Sequence, residues 1–510
     1  MKLPVLPALL LLSLLPAFAA AENLRVLNTT VLEYRGDNRN VDDKDDDFGL
    51  GLNKLYLDGQ MENTSVGVQV DSVVFSNFPD VPKPTPSSPS EYRSEARLER
   101  ISVVQRLGDV SFNLGDSHLQ LGRGIALALR RVDELGTDQA LRGGGVGYQG
   151  DAVSGKVFAG RTNLANLDGV TQKFLEDPDD VLVGASATLH LGRADVSVHG
   201  LMIRTRIPTT PEFDEDGTQL GGAYLDLPVT DWLSLYVEGA FEQYRIVRTD
   251  YRGSAAYTAA DLDLRFVSLL VEGLYLDQFQ VWGSKNGVLQ RPTVYNQPPT
   301  LERIDQEVLD NENVRGGRVK LSRSFLDGSL VLYTSGMLRQ FGRDAATSMN
   351  AIHGYGGFEL TYDGGRSRWY ASAGYREEIQ VRDGYVQKTM EHAETDWVQS
   401  IGGPWALHLT VGHEQRTLDE KGYMRGTTLI GFDRAGWGSL MAEVGYDTQN
   451  PKTQQAFLAG VLAWTAADWM TLKAIVGSQR GGIKCIGGVC RDFPAFSGAR
   501  MEATLQHDML

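Results

Sequence analysis

The sequence predicts an all-β protein: a transmembrane, antiparallel, up-and-down β-barrel of about 24 strands, with about 22 strands as the alternative. Three observations predict this fold: an export signal at the N-terminus, a polarity pattern of period two along the rest of the chain, and tryptophan residues gathered beside short turns. They indicate one barrel domain over residues 22–510, with short turns on the periplasmic side and long loops on the outer side.

The first 21 residues are organised like a cleaved secretory signal. Lys2 supplies a positive charge, an apolar run extends from Leu3 to Phe18, and small residues follow up to Ala21. Charge, short apolar core and small-residue cleavage site mark an export signal, and the run is shorter than the roughly 20 residues of a spanning helix. We therefore expect export and residence in the outer membrane of a Gram-negative cell.

The rest of the sequence alternates in polarity. From Val181 to Leu191 every second residue is apolar, while Ser186, Thr188 and His190 stand on the opposite face. A period of two indicates β-strands. One apolar face opposite a face of charges and amides fits a wide barrel with lipid outside and water inside. The barrel must close, because an open edge in hydrocarbon would leave backbone N–H and C=O groups unpaired.

Tryptophan residues mark one rim of the predicted barrel. Seven of the eight tryptophans adjoin a predicted short turn. Trp397 and Trp464 precede such a turn. Five others follow one directly: Trp232, Trp369, Trp405, Trp437 and Trp469. An indole ring prefers the boundary between headgroups and acyl chains, so these residues predict an aromatic girdle at the membrane interface.

The chain is acidic, with 49 Lys and Arg against 65 Asp and Glu, a net charge of −16. An acidic balance argues against nucleic acid as a partner. The partners we expect are outer-membrane lipid, the machinery that inserts barrels, and either small solutes or an envelope complex.

Two cysteines, Cys485 and Cys490, flank the sequence Ile-Gly-Gly-Val near the C-terminus. In an exported protein such a close pair predicts a disulfide that closes a small loop. A redox or metal role is less favoured, because the spacing is not C-x-x-C and no histidine is near.

The segment from Asp116 to Gly145 interrupts the alternation. It contains Gly122-Arg123-Gly124, an apolar and basic run from Leu127 to Arg131, and a turn from Glu134 to Asp138. Together with Tyr295 to Thr300 and the Cys485 hairpin, these motifs resemble those of an uncharacterised family of large, porin-like outer-membrane β-barrel proteins. The resemblance implies the barrel fold and assigns no chemistry.

Two interpretations of segment 116–145 remain open. If it folds into the lumen, it narrows the pore, and its guanidinium groups bias the passage toward anions. If it is a strand followed by an exposed loop, its arginines pair with neighbouring acids. The candidate pore-lining or constriction residues are Arg123, Arg130, Arg131, Arg142, Asp133 and Glu134.

No cofactor is expected. The acidic run from Asp42 to Asp47 offers oxygen ligands, so a Ca²⁺ ion held by Asp43, Asp45 and Asp47 in an outer loop is a weak hypothesis. A solvated acidic loop is favoured over it, because the run lacks the ligand spacing of an EF-hand.

The sequence carries no catalytic motif that we recognise. Its eight histidines are scattered, and none lies in H-E-x-x-H or beside a Gly-x-Ser-x-Gly elbow. The predicted function is a porin-like channel for passive or selective passage of small solutes, and not an enzyme. The alternative is a structural component of a secretion, polysaccharide-export or electron-transfer assembly. A barrel lipase or protease is less favoured.

Overall fold

The computed structural model describes residues 22–37, 46–76, 92–170, 172–175, 177–205, 217–246, 249–285, 292–303, 312–344, 346–450, 452–486 and 489–509. The predicted export signal and most of the run from Asp42 to Asp47 lie outside these residues. Within the described ranges, no helix has the length and apolar character needed to cross a membrane.

The chain forms a closed antiparallel barrel of 24 strands, which is the larger of the two predicted numbers. In chain order the strands are β1 (Asn23–Arg35), β2 (Phe48–Met61), β3 (Thr64–Ser76), β4 (Glu95–Leu107), β5 (Val110–Ser117), β6 (Thr137–Gln149), β7 (Val153–Leu164), β8 (Val181–Leu191), β9 (Ala194–Arg204), β10 (Gly217–Thr230), β11 (Leu233–Ile246), β12 (Thr249–Asp263), β13 (Ser268–Asp277), β14 (Val314–Phe325), β15 (Leu330–Phe341), β16 (Met349–Tyr362), β17 (Ser367–Gln380), β18 (Val386–Gly402), β19 (Trp405–Leu418), β20 (Lys421–Arg434), β21 (Gly438–Asp447), β22 (Ala456–Ala467), β23 (Met470–Gln479) and β24 (Phe496–Met509).

Each strand pairs with its neighbours in the chain, and β1 closes the barrel by pairing with β24 from Leu24 opposite Met509 to Arg35 opposite Gly498. Short turns lie at the end of the barrel that carries both termini. In the turn after β8, Gly192 has φ 67°, a left-handed conformation that glycine adopts without steric cost. The polarity pattern does not reveal two strand boundaries at the other, outer end, between β11 and β12 and between β21 and β22.

The outside of the barrel is apolar. On β8, Val181 and Val183 are 36% and 41% exposed, whereas Leu182 between them is fully buried on the inside. The same alternation continues around the barrel, with large apolar side chains exposed on nearly every strand. A continuous apolar belt of this kind is unfavourable in water and matches the hydrocarbon of a membrane.

Tryptophan side chains lie at the turn end of the barrel. Trp369 and Trp405 point outward and are 42% and 43% exposed. Trp464 is also on the outside, with its ring centroid 6.5 Å from that of Trp437 in the adjacent turn. Trp469 lies in the turn before β23 and is more than half exposed.

Two long connections fold into the barrel. The first inner loop, residues 118–136, joins β5 to β6. The second inner loop follows β13 and is described over residues 278–285 and 292–303. The inward part is shorter than segment 116–145, because residues 139–145 pair with β7, and residues 141–145 also pair with β5, as part of the wall. Ile125, Leu127 and Phe279 from these loops are completely buried.

The inner face is polar in only part of the barrel, in contrast to the prediction of a polar, water-lined interior. The buried side chains of the inner loops pack against apolar wall residues such as Leu182, Leu201 and Leu274. We call the lumen beside β6–β16 the filled half, and the lumen beside β17–β24 and β1–β5 the open half. The wall that the inner loops cover carries this apolar cluster together with a few buried acids, among them Glu238 and Glu242.

Candidate functional site

The two inner loops form one body inside the filled half. The backbone N–H of Ala128 donates to the carbonyl of Tyr295 at 2.7 Å, and that of Gln297 donates to the carbonyl of Gly124 at 2.8 Å. Within the first loop, residues Leu119–Leu121 pair with Leu127–Leu129 as a small hairpin. These bonds satisfy backbone groups that would otherwise be buried without partners.

The Gly122-Arg123-Gly124 motif attaches the first inner loop to the wall. The N–H of Arg123 donates to Oε2 of Glu238 at 2.8 Å, and the Tyr236 hydroxyl donates to the same oxygen at 2.7 Å. The Arg123 guanidinium lies 3.9 Å from the centroid of the Tyr236 ring, a favourable cation–π arrangement. Gly122 has φ 56°, and a Cβ there would overlap the Glu238 carboxylate, so the motif needs glycine.

Asp180, fully buried at the start of β8, holds the second inner loop. Its Oδ2 accepts the backbone N–H of Ser284 and the hydroxyl of Tyr295, both at 2.7 Å. Glu242 on β11 accepts the backbone N–H of Gln280 at 2.8 Å. These hydrogen bonds satisfy backbone N–H groups of the buried loop and place it at one position on the wall.

The end of the second inner loop meets the boundary of the open half. Oε2 of Glu302 lies 2.8 Å from Nδ1 of His353, and Nε2 of His353 lies 3.0 Å from Nε2 of His392. Burial by itself would raise the pKa of Glu302, but the hydrogen bond with His353 and the charge of Arg376 outweigh it and hold the pKa below its ordinary value. The next residue, Arg303, forms a two-pronged ion pair with Glu394.

Two cavities follow the wall of the open half. One, of about 360 Å³, reaches the outer ends of the strands at Gln479 and Phe496. The other, of about 690 Å³, extends to Gly67 and Lys473, near the turn end. They share part of their lining: Leu52, Lys54, Gln69, Arg131, Asp133, Glu134, Asp138 and Arg500. Because they share this lining, the two cavities are neighbouring spaces between the first inner loop and the wall, and we call them together the passage.

The structure distributes the predicted pore residues differently. Arg131, Asp133 and Glu134 line the passage from the first inner loop. Arg123 stands over the Tyr236 ring in the filled half. The Arg142 guanidinium pairs with Asp116 at 2.8 Å. The backbone carbonyl of Arg130 accepts a hydrogen bond from the N–H of Gln139 at 3.1 Å. Neither Arg130 nor Arg142 lines the two cavities.

The wall side of the passage is formed by residues that the sequence analysis did not single out. Lys54 on β2, Arg500 on β24 and Lys473 on β23 face the first inner loop. The smaller cavity, of about 360 Å³, is lined by as many acidic as basic residues. The basic ones are Arg35, Lys54, Arg131, Arg480, Lys484 and Arg500. In the sequence, these residues are marked only as basic residues on the polar face of alternating strands. Many strands carry such a residue, so this pattern does not distinguish them.

The predicted disulfide between Cys485 and Cys490 is confirmed, and it closes a hairpin at the outer end of the barrel. This hairpin carries Arg491 to the inner loops. The Arg491 guanidinium donates to the carbonyl of Leu135 at 3.2 Å and forms an ion pair with Asp168. The hairpin therefore fastens the outer mouth of the passage.

The connection from β7 to β8 crosses the same mouth. Its Phe174 packs in a cluster with Phe48 and Phe75 at the outer ends of β2 and β3. Oδ1 of Asp47, the described part of the predicted Ca²⁺ loop, accepts a hydrogen bond from the Tyr34 hydroxyl at 3.1 Å. Among the residues described, no group of three His, Cys, Asp or Glu side chains is arranged to hold a metal.

Trp232 differs from the other predicted girdle residues. It borders a hollow at the turn end together with Ser234, Asp261 and Lys320, which belong to the inner face of the wall. The Trp232 ring therefore lies at the periplasmic opening of the lumen.

No protein-family model matches the sequence, and no curated protein is significantly similar to it. The siderophore receptor PirA from Pseudomonas aeruginosa is similar over 96% of this chain and 80% of its own, with 8% identity and a TM-score of 0.48. The P pilus usher (PapC) translocation pore is similar over 96% of this chain and 100% of its own, with 8% identity and a TM-score of 0.45.

Pseudomonas aeruginosa OccK3 (OpdO) is similar over 70% of this chain and 90% of its own, with 12% identity and a TM-score of 0.42. The solved structures that resemble the chain are outer-membrane β-barrel proteins. At these identities the likeness concerns the fold alone.

Proposed function

We propose that the protein is a porin-like channel of the outer membrane, through which small polar solutes pass passively along the open half of the lumen. The observation that carries the proposal is the shared lining of the two cavities between the first inner loop and the wall. One cavity reaches the outer ends of the strands and the other approaches their turn ends, so together they follow most of the barrel's height. Because the inner loops occupy the filled half of the lumen, the route for solutes runs through the open half.

The dimensions and charges of this route favour small polar solutes. Ligand pockets for small molecules typically measure about 300–1,000 Å³, and the cavities of about 360 and 690 Å³ are within that range. Arg131, Asp133 and Glu134 on the loop face Lys54 and Arg500 on the wall. Rings of charge in a pore set ionic selectivity. Acids and bases in equal number favour solutes with charges of both signs over simple anions.

Planar lipid bilayers containing the purified full-length mature protein test the proposal. We expect steady, ohmic single-channel currents in simple salt. A barrel that inserts and folds but stays electrically silent, and that is recovered from cells together with periplasmic or surface proteins, would contradict the channel and favour the assembly role.

Charge reversal on the wall locates the route. In the double variant Lys54→Glu with Arg500→Glu, permeability should shift toward cations by about fivefold or more, since unit charges some 4 Å apart in water interact by about 1 kcal/mol. The reversal potential in a salt gradient measures the shift. The control is Arg193→Glu in the exposed turn after β8, where we expect little change. Equal shifts in both variants would place the route elsewhere.

A further inference from the structure

A row of arginines crosses the outside of the barrel at the outer ends of β6–β11. Arg142 stands in register with Arg161, and the row continues across β8, β9 and β10 through Arg204 to Arg245. Arg252 on β12 belongs to the adjoining row, two residues nearer the turn end. Registered partners share one face of a sheet, and in this region it is the lipid-facing one.

Three of these five arginines have an acidic partner among the described residues, and Arg142 pairs with Asp116 at 2.8 Å. Arg161 lies 3.7 Å from Asp179 with more than half of its side chain exposed, and Arg245 pairs with Asp250 at 2.7 Å. Arg204 and Arg252 are exposed. The row therefore presents five guanidinium groups at the outer surface of a chain whose total charge is −16.

An apolar hollow of about 1450 Å³ lies directly below the arginine row on the same outer face. Its floor is made of small residues on neighbouring strands, including Gly144, Ala159, Gly200 and Gly221, and its upper edge reaches Arg252. Phe241, which is 74% exposed, projects at one side. The hollow exceeds the range of about 300–1,000 Å³ usual for one small ligand.

We propose that the row and the hollow form a binding site for a phosphorylated, multi-acyl lipid of the outer leaflet. Guanidinium groups bind phosphate oxygens in pairs of parallel hydrogen bonds, and basic clusters at a membrane surface attract anionic headgroups. The acyl chains lie against the small-residue floor, where the wall is concave. Basic groups above an apolar hollow have the polarity of an anionic lipid in that leaflet.

A second copy of the chain fits this surface less well. A protein partner seated on the hollow would bury the arginine row at the edge of the hydrocarbon, and burying charges without complementary partners is costly. The site depends on the barrel's orientation in the membrane and is independent of whether the lumen conducts.

Native mass spectrometry of the full-length barrel in detergent tests the proposal, with lipid A as the probe and dephosphorylated lipid A as its comparison. We expect binding of one lipid A and weaker binding of the dephosphorylated form. In Arg204→Glu with Arg252→Glu, affinity should fall by about fivefold or more per arginine. The matched control is Arg315→Glu, an exposed residue at the outer end of β14 beyond the hollow, where affinity should be unchanged.

A second variant tests the hollow separately. A Cβ at Gly221 meets no atom within 4 Å, so Gly221→Phe fills the hollow without disturbing the wall, and lipid A binding should weaken severalfold. Equal binding of phosphorylated and dephosphorylated lipid overturns the proposal, as does an equal loss in Arg315→Glu. Unchanged lipid binding in Gly221→Phe with loss of a cross-linked oligomer overturns it in favour of a second copy.

Discussion

The filled and open halves of the lumen are enclosed by strands of the same kind but carry opposite inner faces. In the filled half, Leu182 and Leu220 on the wall are buried against the inner loops. In the open half, Glu414 pairs with Arg416 at 2.8 Å and also with Arg425, and such charged pairs continue around the wall. The comparison teaches that what covers a strand inside the barrel decides its inner residues, while lipid decides the outer ones everywhere.

The two halves are also held differently. Burial of apolar surface, at about 25 cal/mol per Å², keeps the inner loops on the wall of the filled half. A few polar anchors, among them Glu238, Asp180 and Glu302, determine where on the wall they sit. In the open half the wall carries paired charges, several of them buried, such as that of Arg416, which pairs with Glu414. Each pair contributes little net free energy, because the loss of hydration offsets the attraction between the charges. Breaking the filled half should therefore have the largest consequences.

The largest effect is expected from Ile125→Asp. Ile125 is completely buried in the first inner loop, and placing an unpaired carboxylate there costs on the order of several kcal/mol. We expect the inner loops to leave the wall while the hydrogen-bonded barrel persists, because its strands do not depend on them. Single-channel conductance should rise severalfold.

The matched control for that variant is Gln120→Asp, which adds the same carboxylate at an exposed position of the same loop. Its conductance should stay near that of the wild type. A folded Ile125→Asp barrel with unchanged conductance would mean that the filled half does not restrict the lumen.

A smaller effect is expected from acid. The lowered pKa of Glu302 means that docking of the second inner loop favours the ionised carboxylate. The carboxylate therefore stabilises docking fully above the ordinary glutamate pKa of about 4.3. This stabilisation is lost as the pH falls through the lower pKa that Glu302 has in the docked loop. Conductance should be constant from neutral pH downward and increase only at strongly acid pH. In Glu302→Gln this acid step should be absent.

Glu359→Gln provides the comparison, because Glu359 is an exposed carboxylate on β16 away from the inner loops. It should keep the acid step of the wild type. An acid step that survives in Glu302→Gln would assign it to another carboxylate.

The smallest effect is expected at the outer mouth. Arg491→Gln removes the ion pair with Asp168 and the bonds to the first inner loop, and Cys485→Ser with Cys490→Ser removes the link that shapes the hairpin. Both should increase brief open-state fluctuations and trypsin cleavage after Arg480, with little change in mean conductance. Lys452→Gln, in a different outer loop, serves as the control. If the hairpin variants show neither more fluctuations nor more cleavage than the wild type, the mouth is held by the Phe174 cluster alone.

Much of the barrel could be predicted from residue patterns in the sequence. The alternation on β8 predicted a strand with one lipid-facing side, and the exposed apolar side chains on that side confirm it. The disulfide followed from two close cysteines in a chain predicted to be exported. These predictions succeed because lipid imposes one local rule, apolar outward, on every strand.

The candidate site was less predictable. The sequence left open whether segment 116–145 is inside or outside, and Gly122 acquires its meaning only when the Glu238 carboxylate lies against it. Arg123 and Arg131 are similar in sequence context, yet one stands over an aromatic ring in the filled half and the other faces the passage.

The sequence by itself determined the class of fold, the lipid-facing side of each strand and the cysteine pair, because each depends on neighbours along the chain. The tertiary structure alone decided the passage. Lys54 lies near the beginning of the chain and Arg500 near its end, and they face one cavity because β1 pairs with both β2 and β24. Closure of the barrel brings them together, and no local pattern records it.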